Sequence, residues 1–135
     1  DTSVSRGLGD VYKRQHSISL AAHPKAYRDE VYKICQDANL SFVTCPSAWI
    51  DHPRREDLVP SHNALTPVDE LLERGLTVAI GSDNICDVYK PFCDGDMINE
   101  LRLLIDGCKI YDEDALLQIC VYNGLEIIGI EGEQI

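Results

Sequence analysis

Basic residues are scarce in this 135-residue chain: 12 Lys and Arg stand against 23 Asp and Glu, a formal net charge of −11. That balance disfavours binding to nucleic-acid phosphates or to an anionic membrane surface, and beyond this it implies only solubility. Long apolar runs are also lacking. None approaches the roughly 20 residues of a membrane-spanning helix, and no secretory signal stands in residues 16–135, so a cytoplasmic protein without a membrane partner is expected. The six cysteines, Cys35, Cys45, Cys86, Cys93, Cys108 and Cys120, contain no C-x-x-C pair. They are expected as free thiols of a reducing compartment, mostly buried as small hydrophobes. The glycines form no phosphate-binding signature. His23, His52 and His62 lack metal-ligand spacing and read as solvated loop residues.

The opening residues lack both a starting Met and an apolar period. Asp10–Gln15 back-translates with permitted codons into GATGTGTATAAGAGACAG, the transposon end of sequencing-library adapters, and Ser5–Gly9 fits the bases that precede it. Residues 1–15 are therefore expected to be an adapter-derived scar outside the fold, leaving 16–135 as the native portion, the alternative being a disordered natural arm. The scar holds Arg6, Lys13 and Arg14 against Asp1 and Asp10, so its removal takes the net charge from −11 to −12.

From residue 16 onward, helical and strand-like periods alternate. His16–Ala22 is a short apolar piece. Pro24 suits the first turn of a helix that places Tyr27, Val31, Ile34, Cys35 and Ala38 on one face, and Asn39 closes it. Ser41–Cys45 is β-branched and apolar enough for a buried strand, stopped by Pro46. After a polar loop, Thr66 is expected to cap a helix with Pro67 at its first position, Asp69 as a capping-box partner and Val68, Leu71 and Leu72 facing inward. Gly75 ends that helix, and Leu76–Ile80 is the clearest buried strand. Met97, Leu101, Leu104, Ile105 and Cys108 form a helical stripe. A last helix is expected from Asp112 to about Asn123, with Leu125–Ile130 packing behind it.

The two strands begin 35 residues apart with a helix between them, the spacing of a βαβ unit in a parallel sheet. Two or three such units make part of a barrel or of an open sheet. In either architecture sites form at the C-terminal strand ends, so a polar residue just after Leu76–Ile80 is well placed for chemistry. Asp83 holds that position, with Gly81 expected to let the backbone turn. Its carboxylate can ligate a metal or shuttle a proton; the alternative is a cap for the following turn. His16, at the edge of an apolar piece, can polarise a carbonyl or hold a bound water, or be an ordinary structural histidine. A Cys–His nucleophile using Cys45 or Cys86 lacks an identifiable base.

The stretch GSDNICDVYKPFCDGDM, residues 81–97, resembles the segment after the eighth barrel strand of cytosine deaminase-like amidohydrolases. There a G-x-D-[DN] turn is followed by an aromatic residue and a Pro-containing loop ending in Met. The resemblance extends back through TPVDELLERGLTVAIG and SFVTCP to His16 and covers residues 16–130. Asp83 matches the family's metal-binding aspartate, Asn84 its neighbour, Tyr89 the pocket aromatic that is commonly Trp, and His16 the histidine ending the sixth strand. Cys45 stands where cytosine deaminases usually have Asn.

The resemblance implies an α/β fold, a partial TIM (β/α)8 barrel covering roughly the end of strand 6 to helix 8. It implies metal-dependent hydrolysis of a C–N bond in a cyclic amidine or amide, such as deamination of cytosine-like heterocycles, in a full-length parent. One divalent metal, Zn or Fe, would lower the pKa of a water. Asp83 would touch the metal and move the proton towards the leaving amine, His16 would hold the hydroxide or polarise the substrate, and Asn84 and Tyr89 would line the pocket of a small heterocyclic substrate. The remaining ligands of the pattern, an H-x-H pair and a histidine followed by a glutamate, precede His16 in the family, so these 135 residues are expected to be inactive alone. Family members often assemble, which leaves a homo-oligomer open. A ring amidase, or a small non-catalytic α/β binding module in which Asp83 is structural, are the alternatives.

Overall fold

A computed structural model describes residues 12–50 and 64–130, with the side chains of 12–15 left aside. His52 and His62 therefore lie outside the described residues. Three strands, β1 (Tyr12–Gln15), β2 (Leu40–Thr44) and β3 (Val78–Ile80), form one sheet in the order β1-β2-β3. Both pairings are parallel, with Tyr12 opposite Leu40 and Phe42 opposite Val78. Between the strands run α1 (Lys25–Asp37) and α2 (Val68–Glu73), so the expected βαβ alternation is present. A helix α3 (Met97–Cys108) follows, then α4 (Glu113–Leu117) and α5 (Asn123–Ile128), joined by a π turn at Gln118–Tyr122.

Tyr12–Gln15 joins the sheet even though the sequence reading set it outside the fold. Parallel pairing uses main-chain groups, which every residue but proline supplies, so a segment need not carry an apolar pattern to fill a sheet edge.

On β2, the central strand, Ser41, Phe42 and Thr44 are buried and Leu40 and Val43 half-buried, so both of its faces are covered. The core joins Tyr32 and Cys35 of α1, Phe42, Trp49, Val68 and Leu71 of α2, Val78, Leu104 of α3 and Ile119 of the π turn. Burying each of the large apolar side chains stabilises the fold by about 1.5–3 kcal/mol.

The inward face of α1 is rotated from the expected one. Tyr32 is fully buried, whereas Tyr27 and Ile34 are 48% and 65% exposed. Tyr32 can turn inward because its hydroxyl has a partner there: it donates to Glu70 Oε2 at 2.7 Å. Arg28 grips the same carboxylate in a fork, Nε to Oε2 at 2.9 Å and Nη2 to Oε1 at 2.5 Å, tying α1 to α2.

Helix ends follow local chemistry. Asn39 takes a left-handed φ of 48° after α1, and Gly75 one of 68° after α2. The Asp96 and Asp112 carboxylates accept from Ile98 N and Ala115 N at the starts of α3 and α4. Thr66 differs from expectation. Its hydroxyl makes no cap for α2; it donates to the His16 carbonyl and accepts from Trp49 Nε1 at 3.0 Å. The last helix also runs past Asn123, whose side-chain amide donates to the Val78 carbonyl at 2.7 Å and fastens the π turn to β3.

Candidate functional site

The C-terminal ends of the parallel strands lie side by side. His16 N bonds to Val43 O at 2.9 Å and Gly81 N to Thr44 O at 2.8 Å, so His16, Cys45 and Gly81 leave β1, β2 and β3 on one edge. Two of these strand ends break in the left-handed region. His16 and Ser17 have φ of 63° and 52°, and Asp83 has 58°. His and Asp are among the few non-glycine residues found there, at a cost of order 1–3 kcal/mol that the surrounding contacts offset.

Gly81 is needed for a different reason than turning. A Cβ at this position would stand 3.3 Å from Val43 Cγ1 and 3.4 Å from Cys45 Sγ, so the glycine lets β3 lie close against the end of β2. The turn itself is made at Asp83.

Beyond Asp83, the loop is organised by Asp87, a residue the sequence reading passed over. One carboxylate oxygen accepts from Tyr89 N at 2.9 Å and Lys90 N at 2.7 Å, while the other accepts from Asn84 Nδ2 at 2.7 Å. These bonds, led by the one from Lys90 N, hold the Asp87 carboxyl below its usual range. Asn84 and Tyr89, the expected pocket residues, are thus set by one carboxylate, and Tyr89 is 58% exposed. Cys86 N bonds Cys93 O at 2.9 Å and closes the loop.

Asp83 itself faces Lys90. The Lys90 ammonium donates to the Ser82 carbonyl at 2.8 Å and lies 3.4 Å from both Asp83 Oδ2 and Ser47 Oγ. Lys90 is 7% exposed. Ser47, just after β2, gives its backbone N–H to Glu100 Oε2 of α3 at 2.8 Å, and Glu100 is only 2% exposed. Neither Lys90 nor Glu100 was singled out from sequence. A lysine among exposed loop residues carries no pattern that distinguishes it from a solvated one.

Burial pushes the Cys45 thiol up to about 11, reinforced by the charges of Asp83 and Glu100. It is therefore a protonated, inert thiol at neutral pH, which removes Cys45 as a nucleophile. None of the six cysteines is in a disulfide, but only Cys35 and Cys45 are buried and Cys86 is exposed, so the expectation of mostly buried thiols fails.

His16 is half-buried, and its Nδ1 is buried without a hydrogen-bond partner among the described residues. It borders an open cleft of about 510 Å³ walled by Ile18, Val31, Ile34, Leu40 and Phe42, whereas Lys90 borders a separate pocket of about 280 Å³ with Ser47, Asp96 and Glu100. The structure thus places His16 and Asp83 on one sheet edge. Among the described residues, no three His, Cys, Asp or Glu side chains converge to hold a metal ion. The described residues alone do not fit a metal centre.

No protein-family model matches the chain. The N-isopropylammelide isopropyl amidohydrolase of Pseudomonas sp. strain ADP is 28% identical over 132 residues, which are 96% of this chain and 30% of that protein. An uncharacterized protein of Haemophilus influenzae is 42% identical over 72 residues, 53% of this chain and 26% of its own length. The chain thus spans between a quarter and a third of these relatives. A much shorter uncharacterized H. influenzae protein is 39% identical over 41 residues, 30% of this chain and 91% of that protein. In fold, the chain matches the crystal structure of 5-methylcytosine deaminase from Klebsiella pneumoniae with a TM-score of 0.76 at 22% identity, over 87% of this chain and 29% of that one. It matches N-isopropylammelide isopropylaminohydrolase from Burkholderia multivorans with a TM-score of 0.67 at 19% identity, over 88% and 28%. In fold the chain is similar to these two solved enzymes and in sequence to the Pseudomonas amidohydrolase, and it belongs to one family with the short H. influenzae protein.

Proposed function

We infer that the full-length protein hydrolyses an exocyclic C–N bond of a small nitrogen heterocycle, and that this chain supplies one edge of its active site. The three parallel strands are then an arc of a (β/α)8 barrel whose C-terminal strand ends face the substrate. The observation that carries the reading is the placement of Asp83: a carboxylate 28% exposed, held in a left-handed turn where β3 ends, on the same sheet edge as His16.

In this reading Asp83 takes a proton from the attacking water and delivers it to the leaving nitrogen, the role of a positioned general base and acid. His16 is kept at the strand end by its backbone bond to Val43 and by Thr66 on its carbonyl, and its ring would polarise the substrate or hold the water. Asn84 and Tyr89, both set by Asp87, line the ring pocket. The divalent Zn or Fe ion expected from the family likeness would supply an activated water, and the described residues do not by themselves form its site.

The relatives named above favour a substrate whose leaving group is ammonia or a small alkylamine attached to the ring. The direct test incubates the full-length protein with cytosine, isocytosine and N-alkylamino triazinones, and assays released ammonia and alkylamine. Release from at least one class supports the reading. Ring opening without amine release points to a ring amidase, and binding of the heterocycles without turnover points to a binding module.

A further inference from the structure

Lys90 joins parts of the site that come from different segments. Its ammonium touches the Ser82 carbonyl, Asp83 Oδ2 and Ser47 Oγ, so the loop after β3 and the loop after β2 meet on one charge. Ser47 in turn is held by its N–H on Glu100 of α3. Lys90 and Glu100 are both more than nine-tenths buried, and a buried cation needs such partners because it has left water. The backbone of Lys90 is fixed as well, through its N–H on Asp87. A short main-chain bond to Ser82, next to a longer contact with Asp83, gives a firm anchor and an electrostatic guide rather than a closed ion pair.

We propose that Lys90 is the positioning residue of Asp83, pinning the Ser82–Asp83 turn to the β2 loop and so setting the direction in which the Asp83 carboxylate leaves the strand end. The proposal rests on the assignment of Asp83 as the proton-transfer group. Lys90 does not touch substrate in this arrangement; it acts through Asp83. The left-handed conformation of Asp83 makes such a hold necessary, since that turn is costly and relaxes when its anchor is removed.

The test compares Lys90→Ala, Lys90→Met and Asp83→Asn in the full-length protein, with amide hydrogen exchange measured beside steady-state kinetics. For both Lys90 variants, kcat is expected to fall by about tenfold or more while KM changes little, because misdirecting a catalytic group costs rate more than ground-state binding. Exchange at the amides of residues 82 and 83 should speed up by about tenfold or more, with β2 and β3 unchanged. The 280 Å³ pocket beside Lys90 gives small amines access, so ethylammonium should restore part of the lost kcat in Lys90→Ala, and an uncharged solute of similar size should not.

An unchanged kcat in both Lys90 variants, with Asp83→Asn inactive, overturns the proposal and leaves the Asp83 assignment standing. Faster exchange throughout the sheet with no rescue by amine assigns Lys90 a purely structural role and overturns it too. If Asp83→Asn keeps full activity, the Asp83 assignment fails first. Should no substrate be turned over at all, the exchange experiment decides alone: unaltered exchange at residues 82 and 83 refutes the hold.

Discussion

The Trp49 indole N–H donates to the Thr66 hydroxyl at 3.0 Å, and neither residue is more than 2% exposed. The same hydroxyl donates to the His16 carbonyl, so one threonine ties the turn after β2, the entry to α2 and the end of β1 together. Thr66→Val keeps the shape and removes the hydroxyl, leaving a buried indole N–H and a carbonyl without their partner. We expect a loss of about 1–3 kcal/mol, measured by urea unfolding of the chain. A loss below about 0.5 kcal/mol would mean that water replaces the hydroxyl.

Acid should weaken the link between α1 and α2. The Arg28 fork, supported by the Tyr32 hydroxyl, holds the Glu70 carboxyl down at about 2, against an ordinary 4.5. A depressed carboxyl contributes stability that is present above about pH 4.5 and is lost as pH falls towards 2. With Glu70 partly open to solvent, the contribution is on the order of 1–2 kcal/mol. Glu70→Gln should therefore flatten the dependence of unfolding free energy on pH in that window, and unfolding curves at pH 7, 4 and 3 check it.

Gly107 on α3 sets two effects against each other. Alanine there gains up to about 1 kcal/mol of helix propensity. The new Cβ, however, would meet Trp49 Cζ3 at 3.0 Å and Leu65 Cδ2 at 3.3 Å. Trp49 is 2% exposed and cannot retreat, and overpacking costs about 1–3 kcal/mol, so the clash wins. Gly107→Ala should lower the melting temperature. A rise would show that the Trp49 ring is loosely held.

Thiol labelling reads the same arrangement from outside. Native protein treated with iodoacetamide at pH 7.5 should react at exposed Cys86 long before buried Cys35 and Cys45, and Cys45 is further protected by its raised thiol pKa. Peptide mass spectrometry after timed quenching gives the order.

Much of the scaffold was legible in residue order. The β-branched runs at residues 41–45 and 76–80 became β2 and β3, since parallel strands buried on both faces need such runs. Asn39 and Gly75 ended their helices by the left-handed conformation they tolerate. Tyr32 was missed because its burial depends on Glu70, which lies 38 residues away, and no helical period encodes a partner on another helix. Thr66 was misread for a related reason: the pattern Thr-Pro before an apolar run looks like a cap, while its hydroxyl serves Trp49 and His16.

For the candidate site, the exit of Asp83 from a strand end followed from the sequence, but its surroundings did not. Lys90 and Glu100 meet near Ser47 only because β2, the loop after β3 and α3 converge there. Asp87 organises Asn84 and Tyr89 through bonds to backbone and amide groups that leave no signature in residue types.

The most direct measurement compares amine release by the full-length protein and its Asp83→Asn variant, with cytosine-like and N-alkylamino heterocycles at saturating concentration. Asparagine preserves size but cannot accept and pass on a proton, so the account predicts a fall in kcat of about 10²–10⁴-fold with the fold intact by circular dichroism. An Asp83→Asn enzyme that releases amine at the wild-type rate would contradict it.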